Sequence, residues 1–240
     1  MKKDRFFINR QEGILVVFEG ISGCGKSGSV ESLYRYLIDR GFKTKAIEWN
    51  SNRLIRNIVQ KIHSVNLLTP FIYSILQWIS FLLDYFFKIR PALNKNYILI
   101  ADRYLYTGYT RDIANGASKI IGNRLKESIR KPDLIFFYDV DVQVCYERIE
   151  KRGKTLFRPN KKLQGNEALK NENIEYLINL KQEYLNLFQS SVLAKETNII
   201  YLRVSDQFLD MQIRNNVEAY IGQKAEKGLF VDKTVISKLS

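Results

Sequence analysis

Five apolar residues, Ile14 to Phe18 (ILVVF), run without a break into a glycine-rich turn, and this junction constrains the chain more than any other feature. Such a run suits a strand buried on both faces. The turn reads GISGCGKS, Gly20 to Ser27. It matches the phosphate-binding P-loop pattern of Gly, four residues, Gly, Lys, then Ser or Thr. Gly20, Gly23 and Gly25 allow backbone conformations and close approaches that a side chain would block. The freed N–H groups form an anion nest, and the N-terminus of the next helix adds its dipole. Lys26 can reach the outer phosphates and Ser27 can ligate Mg²⁺. The junction therefore implies nucleoside triphosphate binding.

Strands and helices alternate downstream. Lys26 to Asp39 has helical spacing, with Val30, Leu33, Tyr34, Leu37 and Ile38 on one face, and Gly41 stops it. Thr44 to Trp49 reads as a second strand and Leu54 to Ile62 as a helix. Thr69 and Pro70 open a long apolar helix, since proline suits a first turn. Further strands are expected at Tyr97 to Ala101, Asp133 to Val140 and Asn198 to Val204, with helices at Val142 to Lys151, Asn166 to Ser190 and Met211 to Ile221. The alternation predicts an α/β fold: a P-loop NTPase-type three-layer sandwich, a five-stranded parallel sheet with helices on both faces. Ligands of such sheets bind at the carboxyl ends of the strands. The loops after Phe18, Trp49, Ala101 and Val140 should share that rim. One domain over residues 1–240 is expected, with a lid at about 151–166 and a C-terminal tail at 228–240.

Composition narrows the partners. With 38 basic and 25 acidic residues, the net charge is +13. The basic residues are scattered, with modest density at Arg148 to Lys162, which favours local phosphate handling over nucleic-acid binding. Two cysteines, Cys24 and Cys145, argue against a disulfide scaffold and fit a reducing, cytoplasmic compartment. The single His63 makes a Cys/His metal site improbable. Phe71 to Leu83 (FIYSILQWISFLL) is apolar but short of the ~20 residues a membrane span needs. A buried helix, with no membrane partner, is the expectation.

Two further motifs fall on the rim. In ADRYLYTGYTRD, Ala101 to Asp112, Asp102 can hold Mg²⁺ and Arg103 can grip an acceptor phosphate with its planar fork. A structural Asp–Arg pair is the plainer reading. In KRGKTLFRPNKK, Lys151 to Lys162, cations could close over phosphates, Arg158 and Arg152 foremost; a solvated basic loop is the alternative.

Taken together, the P-loop, EWNSN (Glu48 to Asn52), LLTP (Leu67 to Pro70), ADRYLYTGYTRD, KPDLIFFYDV and YERIEKR resemble thymidylate kinases, above all their archaeal-type branch, in family order and spacing. The resemblance implies a nucleoside monophosphate kinase that moves the γ-phosphoryl of ATP to dTMP with Mg²⁺. It implies catalytic roles for Lys26, Asp102, Arg103 and Arg158, and metal ligation by Ser27 and Asp102. Donor nucleotide would sit on Gly20, Ile21, Ser22, Gly23, Cys24, Gly25, Lys26 and Ser27, with Arg148 and Arg152 beside it. The acceptor nucleotide would meet Trp49, Asn50, Tyr73, Gln77, Arg103, Tyr104, Arg111 and Asp112, the last two on the sugar side. Family members are commonly homodimers, so a homodimer is expected.

Three departures bear on the acceptor. Ser22 stands where the family usually carries Asp or Glu, a carboxylate that reads the sugar 3′-hydroxyl. Ser80 to Asp84 (SFLLD) lacks an arginine useful for the nucleotide. Arg158-Pro-Asn-Lys-Lys replaces an acidic lid stretch. A same-fold kinase of a nucleoside or modified nucleotide, and a non-catalytic nucleotide-binding homologue, therefore stand beside the dTMP reading.

Overall fold

The computed structural model describes residues 13–153, 156, 167–190, 193, 197–203 and 208–226, with side chains of the long helix from residue 170. Most of the expected lid, Arg158 included, and the expected tail lie outside these residues.

Five strands form one sheet: β1 Ile14–Glu19, β2 Thr44–Glu48, β3 Ile98–Asp102, β4 Leu134–Tyr138 and β5 Asn198–Leu202. All neighbours pair in parallel, in the order β2-β3-β1-β4-β5. This is the predicted α/β architecture. The helices that connect and cover the strands are α1 Lys26–Asp39, α2 Arg53–Ser64, α3 Pro70–Asp84, α4 Arg90–Asn94, α5 Leu105–Ala114, α6 Ile120–Ser128, α7 Val142–Lys151, α8 Glu167–Phe188 and α9 Leu209–Glu226. Every residue of β1 is buried, as a strand covered on both faces requires.

Register fixes the rim. Phe18 of β1 pairs with Asp102 of β3, which pairs with Glu48 of β2. The ladder continues one bond further, where Trp49 N–H donates to Asp102 O at 3.0 Å and Arg103 N–H donates to Phe18 O at 3.0 Å. Glu19, Arg103 and Trp49 therefore stand at one level of the sheet.

The apolar segment forms a longer helix than its sequence pattern indicates. Thr69 caps it by accepting from Ile72 N–H, and Pro70 opens its first turn. It then passes through a π-helical turn, Tyr85–Ile89, into α4. Pro91 lacks an N–H to donate back into the helix, and the widened turn just before it takes up the defect. The continuous helix covers Pro70–Asn94, 25 residues, and an 18-residue stretch of it has mean hydropathy 1.2, which by length and composition alone would be enough to cross a membrane. Phe71 to Leu83, short of a span by itself, is therefore only part of a helix that exceeds the expected length. What distinguishes the helix is a buried polar stripe, Tyr73, Gln77, Ser80 and Asp84, at the spacing of one helix face. Asp84 accepts from Ser51 N–H and pairs with Lys88 at 2.7 Å, which pins the loop after β2.

At the opposite end of the sheet, buried Asp133 ties three elements together. Its carboxylate accepts from Leu15 N–H at 2.8 Å, from Arg130 at 2.7 Å and from the Tyr220 hydroxyl of α9 at 2.6 Å. Replacing it with Ala leaves those donors unmet, and we expect Asp133→Ala to cost about 3 kcal/mol in denaturant unfolding.

Candidate active site

The glycine loop after β1 is shaped by its own backbone. Gly20, Gly23 and Gly25 have φ of 142°, 85° and 113°. A Cβ on Gly23 would also meet Cys145 O at 2.3 Å, so glycine is required there twice over. Gly25 is the N-cap of α1 and supplies no capping side chain, which leaves the helix's first N–H groups for an anion.

Two cations meet inside this loop. The buried Lys26 ammonium donates to Gly20 O at 3.0 Å, Ile21 O at 2.8 Å and Cys24 Sγ at 3.1 Å. Arg103 donates to the same Gly20 O at 2.8 Å. Burial lowers the Lys26 pKa from its ordinary value, and the Arg103 charge lowers it further. Arg103 holds a left-handed backbone, φ 78°, uncommon for a residue with a side chain and kept here by the ladder bond to Phe18. Ser27 Oγ donates to Asp102 Oδ2 at 2.6 Å, so a hydroxyl and a carboxylate oxygen lie side by side at the mouth of the loop.

Beneath Arg103 lies Glu19, fully buried. Its carboxylate accepts from Tyr104 N–H at 2.8 Å, from Thr107 Oγ1 at 2.7 Å and from the Tyr184 hydroxyl of α8 at 2.9 Å. Burial raises its pKa, while these donors and Arg103 oppose the rise.

A cavity of about 490 Å³ opens over this rim. The P-loop forms one wall. The opposite wall is α3 with Tyr73, Gln77 and Ser80, beside Trp49 and Asn50 after β2 and Arg111 from α5. Trp49 stacks on Phe81 (centroids 5.2 Å apart, 27°) and meets the edge of Trp78, which fixes its ring. Gly108 permits this packing: a Cβ there would lie 2.9 Å from both tryptophan rings. Arg111 donates to the Tyr73 hydroxyl at 3.4 Å.

Comparison with known proteins points the same way as this geometry. The family model for thymidylate kinase matches residues 18–206. The chain belongs to the thymidylate kinase family. A probable thymidylate kinase 2 of Saccharolobus solfataricus is 28% identical over 220 residues, covering 90% of this chain and 99% of the relative. A thymidylate kinase of Fervidobacterium nodosum is 33% identical over 179 residues, covering 67% and 87%. A probable thymidylate kinase of Methanococcus maripaludis is 27% identical over 177 residues, covering 73% and 77%.

Most of the residues singled out in the sequence meet in the cavity: Ser22, Gly23, Gly25, Lys26, Ser27, Trp49, Asn50, Tyr73, Gln77, Asp102, Arg103, Arg111 and Arg152. Others are near but do not line it. Ile21 and Cys24 are buried beneath the loop, and Gly20 closes its base. Among the described residues, Arg148 reaches Cys24 O, at 3.5 Å, and does not line the cavity. Tyr104 is buried with its hydroxyl on Arg130 O at 2.9 Å. Asp112 is buried and faces Gln77 and Trp78 instead of lining the cavity. Arg158 lies outside the described residues.

Several lining residues carry no motif: Ser80 of α3, Ile55, Arg56 and Val59 of α2, and Tyr176 and Leu180 of α8. Ser80 was detectable as a member of the four-residue polar stripe on an otherwise apolar helix. Glu19 was detectable as a charge directly after five apolar strand residues.

The Glu19 bonds give a pH test. In the folded protein Glu19 keeps a proton above the ordinary pKa of 4.5, at pH values where the unfolded chain has released it. Its contribution is thus fully present below that value and is lost as pH rises toward the folded pKa. Glu19→Gln removes this dependence. Denaturant midpoints from pH 4.5 upward should show the variant gaining on the wild type as pH rises.

Proposed function

We propose that the chain transfers the γ-phosphoryl group of ATP to dTMP, yielding ADP and dTDP. The observation that carries this reading is a single cavity with a P-loop on one wall and the Tyr73–Gln77–Ser80 face on the other, with Arg103 between them. The donor phosphates would lie on the loop's N–H groups and the α1 N-terminus, and the acceptor nucleotide against α3 and Trp49.

In this arrangement Lys26 exchanges its carbonyl partners for oxygens of the transferring phosphoryl group. Arg103, already anchored by Gly20 O, extends its fork to the acceptor phosphate. Bringing donor and acceptor phosphates onto adjacent cations supplies proximity and charge neutralisation, which carry most of phosphoryl transfer; no covalent nucleophile is needed. The oxygen pair of Ser27 and Asp102 fits Mg²⁺, which takes one or two protein oxygens and completes its shell with phosphates and water. When bound, the ion would offset phosphate charge. Arg152 and Arg111 also line the cavity and would face the donor and the acceptor respectively.

Free thiols at Cys24 and Cys145 suit a cytoplasmic enzyme. Exposed Phe71, Ile79 and Phe87 on the outer side of the long helix suit a homodimer.

An ATP-coupled assay across nucleoside monophosphates, with nucleosides as controls, tests the reaction. dTMP should be turned over, and Lys26→Ala and Arg103→Ala should each lower kcat by ~10²-fold or more. Absence of turnover with every monophosphate, or an effect below about threefold for both variants, contradicts the assignment. In the wild type, kcat/KM for ATP should fall on the alkaline side below the ordinary lysine range, because burial and Arg103 make the Lys26 ammonium of the unliganded enzyme lose its proton early.

A further inference from the structure

Among the described residues, four polar atoms without a hydrogen-bond partner belong to cavity-lining side chains: Trp49 Nε1, Asn50 Oδ1, Gln77 Oε1 and Ser80 Oγ. For Gln77 the surroundings decide which end of the amide is left over. Its Nε2 donates to Asp112 Oδ1 and, more weakly, to Gly108 O at 3.4 Å. Both amide hydrogens are thereby used. The other Asp112 oxygen accepts from Trp78 Nε1 at 2.6 Å, and Ser74 also donates to this carboxylate. An ionised carboxylate can only accept, so the reversed amide would set oxygen against oxygen. Gln77 is only 1% exposed, so a wrong orientation could not be relieved by water.

We propose that Asp112 is a positioning residue that fixes the Gln77 amide with its oxygen as the group offered to the acceptor base, and so selects bases that present a ring N–H. The inference rests on the nucleotide-kinase reading of the cavity. Thymine and uracil present N3–H next to a carbonyl. Cytosine presents a bare N3, which would face the Gln77 oxygen with no hydrogen between them. Asp112 touches no substrate; it acts through Gln77. It is a different device from a cationic side chain on the same helix, because its selectivity depends on the direction of one amide.

The test uses Asp112→Asn. An asparagine keeps an oxygen for Trp78 and turns its NH₂ toward Gln77, which then reverses and offers its own NH₂ to the base. The ratio of kcat/KM for dTMP over dCMP should fall by about 30-fold or more, with most of the change in KM, while ATP KM stays within about twofold. Loss of activity by the same factor for both substrates, or an unchanged ratio, would overturn the proposal. Should this variant not fold, Asp112→Ser frees the amide to turn either way, and base preference should shrink to within about threefold; a retained preference is then the refuting result. Wild-type binding gives a further check by calorimetry. Methylation of dTMP at N3 should weaken binding by about 30-fold or more, and a loss under threefold refutes the assignment of the oxygen. Binding of no nucleoside monophosphate would remove the kinase reading along with the inference. Turnover of dTMP with an unmoved base ratio would remove the inference alone.

Discussion

The buried carboxylate of Glu19 holds three parts of the protein in one place. It ends the central strand, one residue before the glycine loop begins. Through Tyr104 N–H and Thr107 it fixes the start of α5, and through the Tyr184 hydroxyl it fixes α8. Arg103 sits directly above, in a backbone conformation that a side chain seldom adopts. An isolated buried carboxylate is costly; one with three donors and a nearby guanidinium is tolerable, and it locks all of its partners at once. The P-loop and Arg103, the residue proposed to reach the acceptor phosphate, are therefore placed by the same group.

The cationic centre follows from that placement. Lys26 and Arg103 both donate to Gly20 O, so two like charges share one acceptor within a buried loop. Each raises the cost of the other, and burial raises it again, as the lowered Lys26 pKa records. Such a pair is poised for polyphosphate, whose oxygens relieve the repulsion and replace the weaker carbonyl bonds. In the proposed reaction, binding energy from the phosphates would be directed to these two groups.

The α3 wall of the cavity rests on different physics. It is a polar stripe on an apolar helix, and its groups are specified by what lies behind them. Asp84 is tied to Ser51 and Lys88, and Gln77 to Asp112. The cavity thus has one wall, proposed to take the donor, built from backbone geometry and another, proposed to take the acceptor, built from side-chain hydrogen bonds. Backbone geometry suits a ligand common to a wide family of proteins, whereas side-chain networks can be rewritten without disturbing the sheet.

What the sequence determined alone was local or periodic. The P-loop was legible because its conformation depends on glycines at fixed spacing. The three inner strands were legible because burial on both faces demands continuous apolar runs, and the alternation of strands with helices left the parallel sheet as the consistent arrangement. Lys26, Ser27, Asp102 and Arg103 could be picked out because each stands at a strand end or in a loop on the rim. Tertiary structure decided the rest. Asp112 belongs to a motif on that rim, yet its place in a helix turns it away from the cavity and behind Gln77. Tyr104 sits next to Arg103 in the chain, yet the turn at Arg103 buries its ring. The helix of Pro70–Asn94 continues past the apolar run because a π-helical turn accommodates Pro91, which no hydropathy pattern reveals. In each case the deciding quantity was the direction of a side chain, set by contacts with residues distant in sequence, and a one-dimensional pattern does not carry that information.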